Sequence, residues 1–375
     1  MPGRWSCGRS AFLAVLGLCV AVSQAFADGE VYIPDLGLQA AIREQLGLPQ
    51  DQPITESGML GLTELFSNAS DLTGLTYATN LQRLSLISGP QLDLSPLSGL
   101  NGLQRLSVYA PDSTIRNTSA LSGLKELSEL SIYGGGLGDN DLSDIASINS
   151  LQRLDLSDRG IQTFTPLAQL TQLRDLTLAG CSLPSASSLP FLPTVTRLGL
   201  MGDNLVDLNP LGAWTQLTDL DLSYNPLNDL GPLAQLTHLQ NLILVQDGLT
   251  NIDALASLTG LRGLLLMDNE ISNLEALRGM QNLSFLTLTD NRISDIGPLA
   301  QLRIESMLNL TGNPLSPSAY EDVIPSLLRN NPGLLIEYDP APEPGVCLWG
   351  VSMAFLLLHK RQEKRSGTNG PKLRH

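Results

Sequence analysis

The sequence predicts an elongated solenoid of the α/β class. It has a parallel β-sheet on a concave side, 3₁₀ or irregular segments on the convex side, and a helical cap at the N-terminal end. Three observations predict it. Large apolar residues recur at a fixed interval, so that ten repeats begin at Leu81, Leu103, Leu127, Leu151, Leu173, Val195, Leu217, Leu239, Leu261 and Leu283, the last ending at Ile304. Eight repeats are 22 residues long and those starting at 103 and 127 are 24. Proline recurs at position 16 of the repeat, with an aspartate or asparagine often at position 13. Internal self-similarity at such a period is the mark of a stacked array.

Within a repeat, positions 1, 4, 6, 11, 14, 17 and 20 are apolar. In the seven repeats from 151 to 304, Ala186 is the single exception to a large apolar side chain at these positions. Positions 4 and 6 point to one face of a short strand because side chains alternate, so positions 3, 5 and 7 point to the other. Positions 11 to 20 return through a looser segment. Proline there (Pro96, Pro166, Pro210, Pro232, Pro298) suits a turn or 3₁₀ segment rather than a long helix. The preceding Asp93, Asp207, Asp229, Asn251, Asn273 and Asp295 suit turn starts. A lone coil would leave its strand unpaired, and stacking closes both sheet and core.

Solenoid ends need caps. Asp35 can cap a helix over 35–46 that Gly47 ends, and residues 54–80 read as a short helix and a degenerate first coil. At the far end a strand at Met307–Leu310 and a capping helix at Ser318–Leu328 are expected. The organisation is therefore 28–80 cap and first coil, 81–304 ten repeats and 305–338 C-terminal cap. Residues 1–27 read as a secretory signal: Arg4 and Arg9, an apolar stretch, and Ala25-Phe26-Ala27 with cleavage after Ala27. An uncleaved signal anchor is the alternative. A proline-rich linker over 339–345 precedes an apolar segment over 346–358 and a basic tail over 359–375.

Hydrophobic residues make up 42% of the chain and charged residues 16%, which excludes wholesale disorder. The net charge is −15, and the segment 28–344 alone carries −22, which argues against a nucleic-acid partner. Of four cysteines only Cys181 lies in the body, and of three histidines only His238 does. That excludes a disulfide framework, a cysteine zinc site and a histidine-rich metal site. No nucleophile constellation occurs, so no enzyme and no cofactor are expected. Gly134-Gly135-Gly136-Leu137-Gly138 lacks the Lys-Ser/Thr of a phosphate loop and reads as a turn that accommodates two extra residues. Asp139, Asp141 and Asp144 follow it without the spacing of an EF-hand.

The L-x-x-L-x-L pattern, the 22-residue length and the phrase Asn291 to Leu299 (N-x-I-S-D-I-x-P-L) resemble the internalin-like class of leucine-rich-repeat proteins over about 28–335. The resemblance implies a leucine-rich-repeat solenoid. It also implies that position 9 (Asn225, Asn269, Asn291, Asn313, with Cys181 in the same place) bonds turn backbone between coils. Gly89, Pro111, Gly135 and Arg159 depart from that rule, so the early coils are expected to be less regular. Pro342-Glu343-Pro344, the apolar segment and Lys360-Arg361 resemble the PEP-CTERM sorting signal of Gram-negative bacteria. That implies recognition by an exosortase-like sorting transpeptidase and release or attachment at the cell surface. The alternative is an ordinary single-span membrane anchor.

Outward positions 3, 5 and 7 tile the concave sheet. Two stretches there are candidate binding surfaces: Ile243, Val245, Leu265, Met267 and Phe285, an apolar patch late in the array, and Tyr109 with Tyr133, flanked by Arg83, Arg105 and Arg153. The expected function is a non-enzymatic exported module that recognises a protein or glycan through this face. The alternative is a structural component of an exopolysaccharide matrix without a specific partner.

Overall fold

The computed structural model describes residues 28–183 and 185–341. Ala27, Pro342-Glu343-Pro344, the apolar segment and the basic tail lie outside the described residues. Among those described, no helix is long and apolar enough to cross a membrane.

Fifteen short strands follow one another: β1 (Glu64–Ser67), β2 (Arg83–Ile87), β3 (Gln91–Asp93), β4 (Arg105–Ala110), β5 (Thr114–Arg116), β6 (Glu129–Gly134), β7 (Arg153–Ser157), β8 (Asp175–Ala179), β9 (Arg197–Met201), β10 (Asp219–Asp221), β11 (Asn241–Ile243), β12 (Gly263–Leu265), β13 (Phe285–Thr287), β14 (Met307–Asn309) and β15 (Leu335–Glu337). Thirteen form one parallel sheet in chain order, and β3 and β5 pair separately. The register advances by one repeat from strand to strand, so that Leu220 lies beside Leu198 and Leu242. Every one of the seven apolar positions in the seven repeats from 151 to 304 is buried, Ala186 included. The core is thus a continuous leucine column behind the sheet.

The return segments are 3₁₀ helices. Pro96, Pro166, Pro210, Pro232 and Pro298 each sit in the first turn of one, where a missing N–H costs nothing. Asp93, Asp207, Asp229, Asn251, Asn273 and Asp295 at position 13 each accept a hydrogen bond from the backbone N–H two residues on, as in Asp229 to Gly231 (2.7 Å) and Asn251 to Asp253 (2.7 Å). The two 24-residue coils are the irregular ones. The first carries the β5 strand, and the second replaces its 3₁₀ turn with a full helix, Asp139–Ala146.

From β8 to β14, position 8 bends the chain out of each strand in a left-handed conformation. Gly180, Gly202 and Gly312 adopt it, and so do Tyr224, Gln246, Asp268 and Asp290. Position 9 then turns inward and laces the coils together. Asn269 Oδ1 accepts from Asp247 N (3.1 Å) and Leu249 N (3.0 Å), and its Nδ2 donates to Leu244 O (2.7 Å) and Leu266 O (3.1 Å). Asn225, Asn291 and Asn313 repeat the pattern. Cys181 supplies only the donor half, its thiol lying 3.5 Å from Leu156 O.

The N-terminal cap helix, α1 (Leu36–Leu46), starts at Asp35 and ends at Gly47 (φ 64°). Asp35 caps Leu38 N (2.9 Å) and also accepts from Ser70 N (3.0 Å), which fastens the helix to the first coil. Burial raises this carboxyl's pKa, but the backbone N–H groups around it outweigh that and hold it below the usual value. At the far end the helix is Ile324–Asn330, preceded by a π-type turn at Ala319–Val323. The sheet runs one strand further than Met307–Leu310: Leu335–Glu337 pairs with β14 in the same parallel register. The capping helix is the crossover that makes this pairing possible.

Candidate functional site

The sheet turns three rows of side chains outward. The row at position 3 reads Glu64, Arg83, Arg105, Glu129, Arg153, Asp175, Arg197 and Asp219 across eight adjacent strands. It then becomes uncharged through Asn241, Gly263, Phe285, Met307 and Leu335. The three arginines singled out in the sequence are not a free basic cluster. Arg83 pairs with Glu64, Arg105 with Glu129 (3.2 Å) and Arg153 with Asp175 (2.8 Å). Arg197 closes on the same Asp175 oxygen from the other side. Burial raises the Asp175 pKa, but hydrogen bonds from Arg197 and Arg153 outweigh it and leave the carboxyl below the usual range. Glu129 and Asp175 hold the same repeat position as the arginines, so their pairing is readable from the register once acids and bases are aligned together.

Tyr109 and Tyr133 are direct neighbours on β4 and β6. They are 53% and 38% exposed. Two residues absent from the sequence-based selection extend this surface. Ile87 precedes Tyr109 in the same row, and Phe66, on β1, is 62% exposed. Phe66 belongs to the degenerate first coil, where the repeat period gives no register. Next to the tyrosines is a groove of about 610 Å³, bordered by Gly134, Gly135, Gly136, Asp158 and Arg159. The three glycines all have positive φ, and a Cβ on Gly135 would come within 2.5 Å of Ile115. Arg159 stands at ladder position 9 yet is exposed. Asp158 beside it takes over the turn, accepting from Leu137 N (2.8 Å) and Gly160 N (3.0 Å).

The late patch is in the register expected, with Ile243 beside Leu265 and Phe285 beside Gly263. Ile243, Leu265, Met267 and Phe285 are half-buried, and Val245 is only 7% exposed. The larger exposed apolar side chains of the concave face are therefore at its two ends: a group on the first strands and Leu335, 55% exposed, on the last.

Elsewhere the polar candidates have structural partners. Thr118 Oγ1 lies 2.8 Å from both Asp141 Oδ1 and Asp144 Oδ2 and donates its one proton between them, and Asp139 accepts from Gln162 N (2.8 Å) and Thr163 N (2.9 Å). Among the described residues no group of three His, Cys, Asp or Glu is arranged to hold a metal. Burial pushes the Cys181 thiol up to about 11, which removes it as a nucleophile near neutral pH. His238 is exposed, with Nδ1 3.1 Å from Thr215 O.

No family model and no curated protein matches the chain. Solved structures do. An internalin from Listeria monocytogenes is similar at 27% identity and a TM-score of 0.66, covering 84% of this chain and 95% of that one. A chain of the Toll–Spatzle complex of Drosophila is similar at 18% identity and a TM-score of 0.50, covering 70% of this chain and 41% of that one. The fold is a leucine-rich-repeat solenoid of the internalin type, and folds of this kind commonly mediate protein binding.

Proposed function

We propose that the chain is a non-enzymatic recognition module that binds a protein partner at the cell surface through the concave face of its sheet. One observation carries the reading. Phe66, Ile87, Tyr109 and Tyr133 stand exposed on adjacent strands whose backbone is already paired. Rigid aromatic side chains on a fixed sheet lose little entropy on binding and are favoured at the centre of interfaces. The internalin likeness supports an extracellular place of work. Export with cleavage after Ala27, and sorting through Pro342-Glu343-Pro344 by an exosortase-like enzyme, complete the proposal. A glycan ligand fits the same tyrosines less fully, because Phe66 and Ile87 add apolar area without hydrogen-bonding groups.

Site-directed photocrosslinking on intact cells tests it. A photoreactive residue at Tyr109 is expected to capture a defined protein, and one at Gln172, an exposed position off the strands, is not. Equal capture from both positions, or none from Tyr109, removes the concave-face reading. Intact mass of the surface-derived protein checks the processing: a chain beginning at Asp28 and ending before the basic tail is expected.

A further inference from the structure

The concave-face reading leaves the partner's chemistry unspecified, and a notch at the middle of the sheet narrows it; this inference rests on that reading. β9 carries Gly199 where its neighbours turn side chains outward: Thr177 on β8, Asp221 on β10, and beyond them Asp155 and Ile243. A glycine inside a strand weakens it and often marks a place where a ligand approaches closely. Nothing in the backbone demands one here. Gly199 is absent from the positive-φ residues, and an added Cβ would stand 3.2 Å from Thr177 Cγ2, a contact that a shift of a few tenths of an ångström relieves. The absent side chain leaves a depression of about 320 Å³.

Its walls combine two kinds of group. Met201 and Ile243 supply an apolar flank. Asp221 stands next to the glycine in its own row and Asp155 stands beyond Thr177, three strands from Asp221; each has one oxygen occupied. Asp155 Oδ2 accepts from Ser131 (3.1 Å), and Asp221 Oδ1 accepts from Ser223 N (3.0 Å) and Oγ (2.6 Å). Their other oxygens have no partner among the described residues. Arg153 and Arg197 border the depression too, but both guanidiniums converge on Asp175 Oδ2. Asp175 is 8% exposed, lines the depression, and keeps a buried Oδ1 with no donor at all. With Asp219 included, two positive charges face four negative ones. The lining carries a net charge of −2.

We propose that the Gly199 notch receives a lysine or arginine side chain of the protein partner. The alkyl stem lies along Met201, and the cationic head sits at Asp221, the glycine's neighbour on β10. Long basic side chains bury their stems and keep the head among polar groups in this way. Charge complementarity of this kind selects partners and accelerates encounter, and a body at −22 attracts basic partners from a distance.

The test uses the full chain labelled with ¹⁵N-glycine and the tripeptides acetyl-Gly-Arg-Gly-amide and acetyl-Gly-Lys-Gly-amide. The Gly199 amide signal is expected to move saturably with a Kd on the order of millimolar. The citrulline and glutamate analogues are expected to leave it in place. Asp221→Asn is expected to weaken binding about tenfold, and Gly199→Val, which keeps every charge, to abolish it. Equal binding of citrulline overturns the proposal, as does binding of the glutamate peptide, which would make the arginines the readers. So does a shift that survives Gly199→Val, or no shift with any peptide. If Gly199→Val fails to fold, the citrulline comparison and Asp221→Asn still decide. The peptides need no native partner, so their failure removes the notch alone, whereas the crosslinking contrast between Tyr109 and Gln172 decides the concave-face reading.

Discussion

Asp203 and Asp247 stand at ladder position 9, where Asn225, Asn269, Asn291 and Asn313 lace neighbouring coils. The acceptor half of the ladder survives: Asp247 Oδ1 takes Asn225 N (2.8 Å), and Asp203 Oδ1 takes Leu183 N (3.4 Å). The donor half does not. Each Oδ2 is buried without a partner, at the place from which asparagine donates its amide to carbonyls. Burial raises Asp203 to about 6 and Asp247 to about 7. The protonated acid restores an O–H donor and mimics asparagine; the ionised one cannot. The sign follows. Below about pH 4 both carboxyls are protonated folded or unfolded, and their contribution is at its fullest. From about pH 4 upward the unfolded chain gives up these protons while the folded state keeps them, so stability falls until the folded groups ionise too, near 6 for Asp203 and near 7 for Asp247, and levels off above. The loss is at most roughly 3 kcal/mol for Asp203 and roughly 4 kcal/mol for Asp247, because each tenfold change in proton affinity on folding is worth about 1.4 kcal/mol. Asp203→Asn with Asp247→Asn is therefore expected to leave chemical-denaturation stability at pH 3 nearly unchanged and to raise it by several kcal/mol at pH 8. Parallel pH profiles for the parent and the double variant would sink this account.

At the scale of the coil, two kinds of asparagine look alike in sequence and differ in consequence. Asn269 at position 9 is buried and satisfies at least four backbone groups in two coils. Asn273 at position 13 is exposed and makes one turn contact, to Glu275 N at 2.9 Å. Removing a buried partner leaves groups that water cannot reach, at about 1–3 kcal/mol each and less than additively. Asn269→Ala is expected to cost about 3 kcal/mol or more in urea unfolding, and Asn273→Ala about 1 kcal/mol or less. Comparable losses would mean that the ladder is not what joins the coils. The same contrast explains why the convex side was readable position by position. Each Asx turn is closed within three residues, so local spacing determines it, whereas Asp203 and Asp247 become conspicuous only when two coils are superposed.

Across the whole molecule, the 22-residue period specified the sheet, its parallel register and the buried column, because each strand meets only the next one along. What it did not specify lies where the period lapses or where rows must be compared across strands. Phe66 sits in a coil with no clean repeat. Leu335–Glu337 joins the sheet after a helix that interrupts the count. Glu129 and Asp175 neutralise arginines only when position 3 is followed through every strand. Gly199 matters for a side chain that is missing, which an apolar pattern does not register. The nearest-neighbour principle also makes a sharp demand on deletions. Excising residues 261–282, one whole coil, brings β11 beside β13 in unchanged register, with Leu242 meeting Leu286. Asn291 then takes over the backbone donors that Asn269 served. The product is expected to stay soluble, unfold in a single transition, and be shorter by one strand spacing, about 4.8 Å, in solution scattering. Excising 261–271, half a coil, joins the end of one coil to the return segment of the next and leaves a return segment with no strand. It is expected to lose the cooperative transition and to aggregate. Equal tolerance of both deletions would show that the coils are not the units of stability, and equal failure would show that the array is held together by its ends rather than by contacts between adjacent turns.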